Sequence, residues 1–226
     1  MTDATELTHP EVLVQISNLN LAADKPLLIC DGDEVIFAFV EGLEIFLRSR
    51  DMYLDLASFA LTGNIRRQSD NEAVEAADVR LIIQDFHAER MEYFPLVQGA
   101  VSSLGRLAEV AQIVVLTNIK FAHKAMREAA LLAQGLNFPV IANTGRKGPA
   151  VADMIRDLDC PVIFMDDISH NINSVAKYAP RTQCIHFIGD SRLAALSGTA
   201  EGATVRIDDW PTAEIYIKKS FNQGAA

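Results

Sequence analysis

Two short acidic clusters close apolar runs in this chain. Asp31-Gly32-Asp33 follows Leu27-Leu28-Ile29-Cys30, and Asp166-Asp167 follows Val162-Ile163-Phe164-Met165. Such runs read as buried strands, and open parallel sheets hold their ligands at the carboxyl ends of strands. Carboxylates gathered there repel one another unless a hard cation or a shared proton compensates, so the pairing predicts a magnesium site. The chemistry that fits is phosphoryl transfer to a carboxylate, which needs an in-line nucleophile, an acid for the leaving oxygen, a cation and donors for the equatorial oxygens. Asp31 is the candidate nucleophile. Asp33, two residues on, is the candidate general acid toward the leaving group and then general base toward water. Mg2+ is expected against a carboxylate oxygen of Asp31, the main-chain carbonyl of Asp33, Asp167, the phosphate and waters, with Asp166 beside it.

Donors for the phosphate are expected from two further places. Thr117 and Asn118 follow the apolar run Ile113–Leu116 and offer a hydroxyl, an amide and backbone N–H groups at the same edge. Lys147, in Gly145-Arg146-Lys147-Gly148-Pro149, precedes a helix whose first turn would hold Pro149, so its ammonium can enter the crevice and neutralise both Asp31 and the phosphate.

The elements that must carry these groups are legible in the hydrophobic pattern. Strand candidates are Leu27–Cys30, Ile113–Leu116, Val140–Ala142, Val162–Met165 and Cys184–Ile188. Between the later ones, Val101–Glu109, Ala122–Ala133, Ala150–Leu158 and Ile172–Lys177 carry apolar residues three and four apart, as helices packed on a sheet do. Gly135 is placed to end the second helix, and Pro161 restarts the chain as a strand. The alternation predicts an α/β fold with a doubly wound parallel sheet. It breaks between Val35 and about Phe94, where roughly 60 residues intervene, far more than a crossover needs. Ile36, Phe39, Val40, Leu43, Phe46 and Leu47 mark an amphipathic helix there, and Ala73–Arg90 a second. The division expected is a core of residues 1–35 and 95–226 with a helical cap of residues 36–94, set above the crevice to exclude water and select substrate. Within it, Thr62-Gly63-Asn64-Ile65-Arg66-Arg67 combines a turn with two cations suited to the remote end of an anionic substrate, though a solvated loop is the commoner use of such a segment. Phe37 and Tyr53 read as packing.

In this order the four segments resemble the motifs of the haloacid dehalogenase superfamily. Asp31-Gly32-Asp33-Glu34-Val35 matches its first motif, Asp-x-Asp-x-Thr/Val at a strand end, while Thr117 and Lys147 match the second and third. Asp166-Asp167-Ile168-Ser169-His170-Asn171 matches the fourth. The resemblance spans about residues 26 to 190 and rests on the combination. It implies a Rossmann-like core and, because Asp33 fills the second acidic position, phosphatase or phosphotransferase chemistry rather than dehalogenation. Asn171 stands where many members have a third acid and Asp166 where many have glycine. The assignment that follows makes Asp167 the direct metal ligand, with Asp166 and Asn171 supporting it.

Composition narrows the rest. The net charge of −10 argues against a nucleic-acid backbone or an anionic membrane as partner. Cys30, Cys160 and Cys184 lie in or beside apolar runs and form no metal-binding array, so they read as small buried thiols of a reducing compartment. No signal peptide or membrane-spanning run is evident, and the cytoplasm is expected. Gly189-Asp190-Ser191 repeats the acidic strand ending one strand too late and reads as a turn; His123 and His170 read as surface or capping residues. The expected activity is magnesium-dependent hydrolysis of a small phosphorylated metabolite through an aspartyl-phosphate on Asp31. Transfer to an acceptor other than water, another hydrolysis of the same superfamily type with a different leaving group, and a non-catalytic phosphoryl-accepting signalling module are the competing readings; the pattern sets no oligomeric state.

Overall fold

The computed structural model describes residues 7–223. Six strands form one wholly parallel sheet: β1 (Leu27–Cys30), β4 (Gln112–Thr117), β5 (Val140–Ala142), β6 (Val162–Asp166), β7 (Gln183–Phe187) and β8 (Val205–Ile207). Their spatial order is β5-β4-β1-β6-β7-β8. From β1 the chain winds outward on one side through β4 and β5, then returns to the other side of β1 for β6, β7 and β8. The switch point therefore lies at β1, where loops leaving adjacent strands diverge and open a crevice. Cys30 is in register with Val115 of β4 and Met165 of β6, so the ends of these three strands lie level.

Five strands sit where the apolar runs predict. The sixth, β8, lies in the tail, where only three residues pair with β7 and no period-two pattern develops. Helices α4 (Ala100–Ala108), α5 (Lys124–Ala133), α6 (Gly148–Met154) and α7 (Ser169–Tyr178) occupy the predicted crossovers. Gly135 ends α5 at φ 76°, with Gly135 N–H bonded to Leu132 and Leu136 N–H to Leu131, a paired closure that needs a left-handed residue. Helices α1 (Pro10–Ser17), α8 (Ser191–Leu196) and α9 (Trp210–Gln223) are short or weakly patterned and escape the sequence reading. Asp190 caps α8, accepting from Arg192 N–H at 2.8 Å, which makes Gly189-Asp190-Ser191 a structural turn. The three cysteines are free thiols. No helix among the described residues is long and apolar enough to cross a membrane.

Residues 36–94 hold α2 (Phe39–Arg48) and α3 (Ala76–Arg90), as the helical spacing implies, and between them an antiparallel hairpin of β2 (Met52–Leu54) and β3 (Ile65–Arg67). The hairpin is too short to show alternation. It also takes the first residues of the expected second helix, since Val74 N–H bonds Ile65 and Ala73 bridges to Arg66. Phe46 and Phe86 are fully buried, and Phe39, Phe86 and Phe94 pack ring on ring, 4.4 Å between the Phe86 and Phe94 centroids. That aromatic cluster joins the insert to the sheet through one continuous hydrophobic core, which places α2 and α3 beside the carboxyl edge.

Candidate active site

The acids at the switch point are buried. Asp31 directly follows β1 and its backbone N–H bonds Met165 of β6, so the residue is fixed by the sheet itself. Its Oδ1 accepts from Gly32 N–H at 2.6 Å and from Lys147 Nζ at 2.8 Å. Lys147 Nζ also donates to Asp166 Oδ2 at 2.7 Å, and its side chain has no exposed surface. Asp166 is equally buried and accepts further from Ile168 N–H at 2.9 Å and Asn171 Nδ2 at 3.1 Å. Oxygens of Asp31, Asp166 and Asp167 lie within 4.8 Å of one another.

Three carboxylates against one ammonium leave two surplus negative charges on buried groups. Burial pushes the Asp31 carboxyl up to about 6, against the pull of Lys147 and with help from Asp166. Burial, Asp166 and Asp31 likewise raise Asp167 well above its ordinary value. Burial opposes the charge on Lys147, but Asp166 and Asp31 outweigh it and hold the ammonium above its ordinary range. A group of hard oxygen donors carrying excess negative charge is what a divalent cation such as magnesium takes. By donor type and charge the residues fit one.

Local packing explains the placement. The first turn of α6 presses on α7: a Cβ on Gly148 would fall 2.4 Å from the Ser174 carbonyl oxygen, so only glycine lets α6 begin here and deliver Lys147 beneath Asp31. Gly32 sits against Thr117, whose Oγ1 would lie 3.2 Å from a Cβ there. His186 of β7 backs the fourth strand end. Its Nδ1 accepts from Ala200 N–H at 3.1 Å, which leaves the proton on Nε2 to donate to the Asp167 carbonyl at 2.9 Å.

The sequence-nominated groups do not all converge. Asp31, Asp166, Asp167 and Lys147 meet; Thr117 lines the same cavity. The Asp33 carboxylate lies outside that group, on the cavity rim, bonded to Arg127 Nη2 at 2.6 Å with His87 Nε2 3.9 Å from its other oxygen. Asn118 borders the cavity, but its amide is spent on the β5–α6 loop, donating to the Gly145 carbonyl at 2.9 Å and accepting from Asn143 at 2.7 Å. Both observed partners of Lys147 are carboxylates, and its side chain is not part of the cavity lining. Arg66 and Arg67, nominated for an anionic substrate, are instead paired to Asp55, Asp70 and Glu72 away from the cavity. Exposed His170 borders the cavity.

Two residues beside Asp33 were missed. Arg127, on α5, is completely buried, with its guanidinium 4.5 Å above the Phe37 ring and Nε and Nη1 without partners. Its signal was an arginine in the register of the apolar face that buries Ala130 and Leu131. His87, on α3, is three-quarters or more buried, and burial holds its pKa down against the pull of Asp33. It follows the buried Phe86 and reaches the site from the insert.

Comparison with solved structures gives a consistent answer. A hydrolase of the haloacid dehalogenase type from Bacillus subtilis, solved bound to magnesium, covers 86% of this chain and 99% of its own at TM-score 0.59 and 13% identity. A hydrolase of the same family from Deinococcus radiodurans, solved with bound phosphate and sodium, covers 88% and 97% at 0.54 and 15%. The fold is that of the haloacid dehalogenase superfamily. An L-2-haloacid dehalogenase also matches, covering 85% and 99% at 0.55 and 9%, so the superfamily fold holds hydrolases of more than one chemistry. No family model and no curated protein matches the chain by sequence.

Proposed function

We propose that the protein is a magnesium-dependent phosphomonoester hydrolase that works through an aspartyl-phosphate on Asp31. What carries the reading is the junction of Asp31, Lys147, Asp166 and Asp167 at the switch point, together with a second carboxylate, Asp33, on the rim of the same cavity. Halide departure requires no proton, whereas an alkoxide leaving group does, and a carboxyl lining the same cavity, Asp33, supports the phosphatase reading.

The steps follow from the residues. A carboxylate oxygen of Asp31 attacks phosphorus, the ester P–O bond breaks, and its electron pair stays on the leaving oxygen, which takes the proton of Asp33. Water, losing a proton to Asp33, then attacks the same phosphorus; the bond to Asp31 breaks, releasing inorganic phosphate and restoring both carboxyl groups to their starting states. Arg127 holds Asp33 in place, with His87 beside it. Lys147 fixes Asp31 and balances part of the acidic cluster, and the hydroxyl of Thr117 is the phosphate donor at the end of β4. Asp31 and Asp167, with the Asp33 carbonyl and with Asp166 in support, would hold magnesium, which when bound would supply charge neutralisation for the transferred phosphoryl group. The substrate is a small phosphorylated metabolite, and the site needs neither nucleic acid nor membrane.

Asp31→Asn is expected to lower kcat by roughly 10⁴-fold or more while leaving the thermal midpoint in place, because Lys147 keeps Asp166. A phosphatase assay with and without magnesium checks it. Near-normal turnover by the variant removes Asp31 as nucleophile.

A further inference from the structure

The wall of the cavity is chemically unlike its floor. The cavity encloses about 300 Å³, and above Asp31, Thr117 and Asp167 it is lined by Phe39, Val40, Leu56, Phe59, Leu61 and Leu193. No lysine or arginine is among its lining residues. Three cations close to the site are committed elsewhere: Arg127 to Asp33 and Lys147 to Asp31 and Asp166, both without exposed surface, and Arg192 to Glu44 and Asp190. Lys120, whose charge acts on His87, is exposed and outside the lining. A second anionic group on a substrate would thus face the carboxylates of Asp33 and Glu34 with no lysine or arginine in the lining to offset them, which weakens its binding. The acids are committed too. Glu34, held at φ 56°, spends its carboxylate on Val40 N–H at 2.6 Å, and Asp33 spends an oxygen on Arg127. Each of these two carboxylates thus meets a cationic substrate body with part of its accepting capacity already used.

The wall is also built in advance. The segment 56–61 carries three of its apolar residues and has no regular structure, yet it is tied down by Asn64, itself buried. Asn64 Nδ2 donates to the Ser58 carbonyl at 2.8 Å and the Ala60 carbonyl at 2.7 Å. Leu56 and Phe59 pack with Phe39 against the cluster of Val40, Ile188 and Leu193. Such a surface presents apolar area without first paying to order itself.

We propose that the cavity selects monophosphate esters of small, uncharged, largely apolar alcohols, with segment 56–61 of the insert as the selecting surface. The proposal rests on the phosphatase reading above and adds the class of leaving group. At about 300 Å³ the space lies at the lower end of ligand cavities and suits a phosphate with one ring or a short chain.

The test uses the purified full chain with magnesium and compares kcat/KM for phenyl phosphate and n-butyl phosphate with that for phosphoglycolate and phosphoethanolamine. Acetyl phosphate, whose body is two carbons, reports the chemistry alone. The neutral esters are expected to exceed both charged ones by roughly tenfold or more. Leu61→Arg is expected to lower the neutral esters and raise phosphoglycolate, narrowing that ratio by about tenfold. Charged esters used as well as neutral ones by the wild type, with acetyl phosphate turned over, overturn the proposal and leave the phosphatase reading standing. Acetyl phosphate and every ester inert with magnesium present overturn both.

Discussion

The floor of the cavity and its wall are held together by opposite means. On the floor, polar atoms are fixed at 2.6 to 3.1 Å: Asp31 to Gly32 and Lys147, Lys147 to Asp166, Asp166 to Asn171. The wall is apolar side chains on a hairpin and two helices, positioned by packing and by one buried amide, Asn64. Charge at short range tolerates almost no displacement, whereas apolar surface accepts several shapes. The floor fixes which bond breaks; the wall chooses which molecule brings it.

After loss of Asp31 itself, breaking the junction of the two regions should cost most. Asp33 stands on the rim between Arg127 of the core and His87 of the insert. Asp33→Asn is expected to lower kcat by about 10²- to 10⁴-fold with little change in stability, since the amide oxygen still accepts from Arg127. Asp33→Ala additionally strands a buried guanidinium and should cost roughly 2–3 kcal/mol, a buried pair's penalty discounted because Asp33 is 22% exposed. Chemical denaturation beside steady-state kinetics checks both; an Asn variant with wild-type kcat denies Asp33 its proton-transfer role.

The floor alone predicts a pH signature. Asp31 moves from 3.8 to about 6 on folding without metal, so the folded state holds its proton more tightly. That contribution to stability is present below about pH 4 and is lost as pH rises through about 6, and the raised Asp167 acts in the same sense. Added magnesium should therefore raise Tm more at pH 7 than at pH 5. Equal shifts in a thermal melt at the two pH values would mean the ion binds away from these carboxylates.

The wall alone should respond most gently. Asn64→Ala frees segment 56–61 and is expected to raise KM for phenyl phosphate by about 3- to 10-fold with a smaller change in kcat. A kcat that falls as far as KM rises would show that this segment reaches the reacting atoms.

The same contrast explains what the sequence disclosed. The floor was legible because a strand-ending Asp, Thr or Asp pair is marked by the apolar run before it, and three such marks in order leave few arrangements. Lys147 was legible through the proline that starts its helix. The wall was not, because β2 and β3 are three residues each, too short to alternate, and Leu56 and Phe59 lie in a loop whose path depends on Asn64 rather than on any period. Arg127 and His87 were hidden for another reason: each occupies a core-facing helical position where a reader expects aliphatic residues, and only three-dimensional packing brings them to Asp33. Asn118 was legible only as a position: it borders the cavity, but its side-chain amide bonds the neighbouring loop, which no local pattern announces.

The contact between Gly148 and Ser174 sets a limit on how this molecule can change. Even one methyl group at 148 would collide with main chain at 2.4 Å, and relief would come only by parting α6 from α7 and lifting Lys147 off its two acids. The seam is remote from the wall in sequence and untouched by any alteration there. New substrates are thus reachable by drift in the hairpin alone, while the reaction itself stays anchored to a hydrogen atom where every other residue carries carbon.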